Sequence, residues 1–177
     1  HRIVADIYCG HRLQQVCGRD RLDYVHVLQQ LGALSFSEMS YGAEVRIVPD
    51  SRRDFFLLQI PIAGTDRLQV DGAACMSDAR LASMQGPDSG LAMHWSADCR
   101  KFVVRFERRA LERHAVALLG EVVGPRLSFP VTIDLTAPRA RAWVSTARHV
   151  SQELGSDAAL AEEGLVRHDL EQIDRKS

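Results

Sequence analysis

The sequence predicts a mainly β domain that closes with helices, an α+β chain centred on a small antiparallel barrel. Two patterns carry that expectation. Between Leu34 and Phe106, short apolar runs recur between Gly, Asp and Pro punctuation, the rhythm of a barrel or sandwich rather than of a parallel α/β sheet. Beyond Thr136 the two-residue alternation gives way to helical spacing, so the strands precede the helices.

The bulk properties fit one domain. At 177 residues the chain can bury a core of its own. Its hydrophobic share of 46% and charged share of 25% are those of a globular protein. A net charge of -1 leaves no electrostatic footprint for nucleic acid. No apolar run reaches the length that spans a bilayer, and the N-terminal stretch is too broken by polar residues for a signal peptide. The expected compartment is therefore the cytoplasm, with no membrane partner. Cys9, Cys17, Cys75 and Cys99 lack C-x-x-C spacing and read as reduced, structural thiols. The basic charge consists of 20 Arg and 2 Lys, which reads as composition rather than chemistry. The chain opens on His1 rather than Met, the start expected of a piece of a longer protein.

Taken in order, Ile3, Val4, Ile7 and Tyr8 match one helical turn, and Leu13, Val16 and Leu22 match a first strand or arm. Tyr24 to Gln30 is ambiguous between helix and strand. Leu34–Met39 and Glu44–Val48 alternate as strands. Phe55 to Ile62 is apolar on both faces except at Gln59, the pattern of a strand covered on both sides. Arg67–Val70 and Ala73–Met76 flank Asp71-Gly72, a strong hairpin signal. Leu81–Met84 and Leu91–Trp95 follow as strands. Next, Phe102, Val104 and Phe106 alternate with Lys101, Val103 and Arg105, which predicts a strand with one wet face. A helix over about 108–119 is expected to turn Leu111, Ala115, Leu118 and Leu119 to one side and to stop at Gly120. Leu127–Phe129 and Val131–Leu135 are short extended pieces. A helix then opens near Thr136 or Pro138, breaks at Gly155-Ser156-Asp157, and gives way to a last helix from about Ala158. The division expected from this is a barrel over 1–135 and a helical segment over 136–177.

Motifs for catalysis are missing. The seven histidines are scattered singly, with no H-E-x-x-H and no paired ligands on a strand, so no metal and no cofactor is expected. No G-x-S-x-G elbow occurs, and Gly86-Pro87-Asp88-Ser89-Gly90 is a loop rather than a phosphate cradle. Asp134 and Glu107 have no partner at acid–base spacing. Arg52-Arg53 and Arg108-Arg109 could bind an anion, but solvated charge is the default reading. A binding domain fits better than an enzyme. The candidate ligand residues are Tyr41, Gln59, His94 and Trp95, from strands lining the barrel. His94 and Trp95 cannot both face inward. The alternation around Phe102, Val104 and Phe106 sends Arg105 outward, and it is left out. Trp143, Ala147, Val150 and Leu154, spaced four, three, four, form a stripe that could pack on the barrel or pair with a second copy, and the seam spacing favours the second.

The ordered set of Tyr41-Gly42-Ala43-Glu44-Val45, Phe55–Gly64, Trp95-Ser96-Ala97-Asp98-Cys99 and Phe106–Arg113 resembles the N-terminal sensing domain of AraC/XylS-type bacterial transcription regulators. The resemblance runs from about Leu34 to Leu135. It implies a cupin-like barrel that binds a small-molecule effector, helices after the barrel that form a homodimer, and DNA contact only through a C-terminal helix-turn-helix domain that 136–177 is too short to supply. The competing readings are a dimerisation module with a filled barrel and, further off, a cupin-type enzyme, which would need clustered metal ligands.

Overall fold

The computed structural model describes residues 11–16, 22–50, 53–120 and 127–173. The turn expected at Ile3–Tyr8 lies outside them. Among the described residues, eleven strands form two antiparallel sheets. One has the order β1 (His11–Gln15), β4 (Val45–Pro49), β9 (Leu91–Trp95), β6 (Asp66–Val70), β7 (Ala73–Ser77). The other runs β11 (Thr132–Asp134), β8 (Leu81–Gln85), β5 (Phe55–Ala63), β10 (Arg100–Glu107), β3 (Leu34–Ser40), β2 (Val25–Leu31). The ambiguous 24–30 stretch is thus a strand, at the edge of the larger sheet. Helix α1 (Arg108–Leu119) follows β10 directly, and α2 (Pro138–Ile173) closes the described chain.

The strands build two cores because the larger sheet is covered on both faces. Between the sheets, Met39, Val45, Ile47, Leu68, Val70, Met93, Trp95 and Val103 make the barrel core. On the larger sheet's other face, Phe36, Phe56, Leu58, Ile60, Phe102 and Val104 meet α2. The double covering inferred for β5 from its unbroken apolar run follows from this layering. It also corrects the expectation for β10. The face carrying Lys101 and Val103 is the barrel interior, and Lys101 is 0% exposed. Arg105 shares that face, with its guanidinium carbon 4.7 Å from the centre of the Phe55 ring.

Two turns are glycine-dependent. Asp71 (φ 49°) and Gly72 (φ 85°) both adopt left-handed backbone in the β6–β7 hairpin, the conformation of a two-residue turn that matches strand twist. Gly64, at φ 64°, joins β5 to β6, where an added Cβ would stand 2.6 Å from the Cys99 Cα. The β5–β6 turn therefore lies directly on the 96–99 turn.

The helices depart from expectation in three ways. First, α1 buries none of its residues. Leu118 is 71% exposed, and Leu111 alone among its apolar residues reaches the second core. Second, α2 runs unbroken through Gly155. One helical Gly costs only about 1 kcal/mol relative to Ala, and here it lets the helix pass close to the edge strand: a Cβ at 155 would stand 3.2 Å from Gln29 Nε2. Third, the Trp143–Leu154 stripe is turned onto the chain's own sheet. Ala147 is buried there, and Val144, Val150 and Leu154 pack beside it. Of the four seam residues only Trp143 is exposed, at 42%, with its ring centre 6.3 Å from that of Phe106.

Candidate functional site

The barrel core is not completely filled. A cavity of about 60 Å³ lies between the sheets, lined by apolar Met39, Ile47, Leu57, Leu91, Met93 and Val103. The polar or amphipathic residues on its wall are Tyr41, Arg53, Gln59, Gln85 and Trp95. Three of the four residues singled out in the sequence therefore meet at one place: Tyr41, Gln59 and Trp95. Each lies on the inward phase of its strand or at a strand end, and all three are nearly fully buried. The Tyr41 and Trp95 rings contact edge to face, with centroids 5.3 Å apart. His94 does not join them. Strand parity sends it to the outer face of the smaller sheet, where its Nε2 lies 2.8 Å from Glu44 Oε1.

Behind the cavity wall stands a polar relay that sequence reasoning missed. Asp66 at the start of β6, opposite Trp95 on β9, forms a fully buried ion pair with Lys101 of β10. Lys101 Nζ also donates to Gln59 Oε1 at 2.8 Å and sits 4.1 Å from the centre of the Trp95 ring, within cation–π range. Gln59 Nε2 in turn donates to Gln85 Oε1 at 2.8 Å and lies 3.3 Å from Met93 Sδ. The register explains the relay. Val103 pairs with Gln59, and Leu57 pairs with Gln85, so Lys101, Gln59 and Gln85 are diagonal neighbours on one face of three adjacent strands. Asp66 Oδ1 accepts the His94 backbone N–H at 3.2 Å, which fixes the carboxylate.

The relay leaves two donors over. Gln85 Nε2 and Trp95 Nε1 are buried without a hydrogen-bond partner, and both residues line the cavity. Arg53 corrects the reading of the 52–53 pair as solvated charge. Its side chain is buried in the cavity wall, and Nη2 donates to the Gly86 carbonyl at 3.0 Å and to that of Ser89.

A signal for Lys101 was present in the composition. Where 20 of 22 basic residues are Arg, a Lys stands out. A compact ammonium fits a buried point contact that a planar guanidinium would overfill. Asp66 and Gln85 carried no such mark.

The remaining candidates have structural roles. Asp134 Oδ1 accepts from the Thr136 backbone N–H (2.8 Å) and hydroxyl (2.7 Å), and these bonds hold its carboxyl below the usual range. Arg108 pairs with Glu112 at 2.9 Å and with Asp88 at 3.4 Å on the surface. Cys75 and Cys99 are free thiols. Among the described residues, no three of His, Cys, Asp or Glu converge as metal ligands would, and no helix is long and apolar enough to cross a membrane.

The chain is similar to known proteins in sequence and in fold. The chain is 25% identical over 163 residues to a probable thc operon regulatory protein of Rhodococcus erythropolis, covering 90% of this chain and 49% of that protein. Its fold superposes on the AraC-like transcriptional activator CuxR with a TM-score of 0.63, at 11% identity, over 82% of this chain and 53% of CuxR. The chain thus spans about half the length of each. The model of the AraC-binding-like domain matches residues 1–173, and the chain belongs to that family.

Proposed function

We propose that this chain is the effector-sensing part of an AraC-type transcription regulator, and that its effector is a small molecule held in the barrel interior. The observation that carries the reading is the cavity itself: an apolar chamber between the sheets with a few polar groups on its wall, the usual make-up of a small-molecule site. Two related proteins described as a regulatory protein and a transcriptional activator support it. In this reading DNA is contacted in the cytoplasm by a separate domain of the regulator, and the chain does no chemistry.

Trp95 offers a direct test, because Trp143 is the other tryptophan of the chain. In a Trp143→Phe variant, emission comes from the cavity wall alone. Small carboxylates, ketones, sugars and aromatics should include compounds that shift or quench this emission saturably. The response should disappear when Leu57→Phe or Met93→Phe fills the cavity. Binding that survives both fillings would place the site elsewhere, and a chain deaf to the whole panel would favour a filled barrel that serves only to assemble the protein.

A further inference from the structure

We infer that the effector meets this site with a hydrogen-bond acceptor, a carbonyl or carboxylate oxygen on a small apolar body, received by Gln85 Nε2 and the Trp95 indole N–H. The inference rests on the reading of the barrel interior as the ligand site.

The polarity of the wall is set from behind. An ammonium has three donors and no acceptor. Lys101, held by Asp66, therefore requires Gln59 to turn its carbonyl oxygen toward it, as the 2.8 Å contact shows. That orientation commits Gln59 Nε2 to face the next amide, so Gln85 must offer Oε1, again at 2.8 Å. Reversing either amide would oppose donor to donor. The relay is thus unidirectional, and its free end is a donor: Gln85 Nε2, on a side chain 1% exposed, has no partner. Trp95 Nε1, which can only donate, has none either. Buried polar groups are nearly always paired, so these two donors call for an acceptor from outside the chain. A ligand oxygen within reach of either donor would make its missing bond.

The rest of the wall agrees. Arg53 lines the same cavity and adds positive potential. The amide oxygens of Gln59 and Gln85 each accept one bond within the relay, whereas an amine would meet the unpaired N–H groups donor to donor. Beyond the donors the lining is Met39, Ile47, Leu57, Leu91, Met93 and Val103, which suits an apolar body. The volume of about 60 Å³ is below that of a five-carbon ring, so a body of that size enters only as the flexible Met39 and Met93 side chains move aside.

A matched set of five-membered-ring probes tests the inference on the whole chain: cyclopentanone and cyclopentanecarboxylate carry an acceptor, cyclopentane carries no polar group, and cyclopentylamine is a cationic donor. Binding is followed by the ¹⁵N–¹H resonances of the Gln85 side-chain amide and the Trp95 indole. The two acceptor probes should shift both resonances and bind about tenfold more tightly than cyclopentane, the factor one buried hydrogen bond supplies. Gln85→Leu removes one of the two donors and should weaken that preference, read as the ratio of acceptor-probe to cyclopentane affinity within the variant. Gln85→Met, which keeps the side chain's length, repeats the comparison should the leucine variant not fold. Equal binding of all four probes, or tighter binding of the amine, overturns the acceptor rule and leaves the interior site standing. If no probe moves either resonance, both the rule and the interior site fall.

Discussion

Lys101 and Asp66 form an ion pair that is 0% exposed on both sides, on strands of opposite sheets, 35 residues apart in the chain. The pair joins the two sheets by charge across the barrel core. It is also the fixed end from which the amides of the cavity wall take their direction. An ion pair out of water is a poor source of stability, since desolvation offsets most of the attraction. What it supplies here is orientation.

That balance makes a prediction for single and double variants. Lys101→Met or Asp66→Asn alone changes one half of the pair. Lys101→Met strands a buried carboxylate and should cost about 3–5 kcal/mol. The double variant, whose introduced amide would keep an oxygen for the His94 N–H, should recover most of the loss. Urea denaturation of the three proteins checks it. A double variant as unstable as the worse single one would mean that the pair contributes stability itself.

The two turn glycines should separate steric crowding from backbone strain. At Gly72 a Cβ would meet nothing within 4 Å, so Gly72→Ala should cost only about 1–2 kcal/mol, for left-handed backbone. At Gly64 the same strain is joined by a clash with the Cys99 backbone. Gly64→Ala should therefore be clearly the more damaging of the two, and thermal unfolding of both variants measures the gap.

Leu154 and Trp143 should behave oppositely. Leu154 packs on the chain's own second core, so Leu154→Glu should destabilise the fold by about 2–4 kcal/mol, as loss of a packed leucine does, with a charge added. Trp143→Glu, at an exposed position, should leave stability nearly unchanged. Sedimentation and denaturation of each decide the matter. A stable, monomeric Leu154→Glu protein would show that the stripe serves a second copy after all.

Cys99 should shape the alkaline limb of stability. Burial first, together with Asp66 and Asp98 and against the opposing charge of Lys101, pushes its thiol from the ordinary 9.0 up to about 12. The folded state therefore keeps this proton while the unfolded chain loses it. The stabilisation is complete below pH 9 and is lost as pH rises toward about 12. Cys99→Ala should flatten that fall relative to wild type, measured as unfolding free energy against pH. Thiol labelling of the folded protein at pH 8 should likewise reach Cys75 well before Cys99.

Local periodicity determined most of the architecture: the strands from Leu34 to Phe106, the hairpin at Asp71-Gly72 and helix α1 all follow from patterns only a few residues long. It also put Tyr41, Gln59 and Trp95 among the ligand candidates. Tertiary structure decided which face of each element is wet. A period of two shows that Lys101 and Phe102 point opposite ways, but a charge reads as solvated unless its partner is known, and Asp66 is distant in sequence. The same gap explains Arg53, whose partners lie on the 86–89 loop, and Gly155, which marks a close approach to Gln29 rather than a helix end. It explains the α2 stripe as well, because seam spacing describes an apolar face without naming the surface that covers it. Periodicity is a property of one segment, whereas burial is a property of two, and the second segment is found only in the fold.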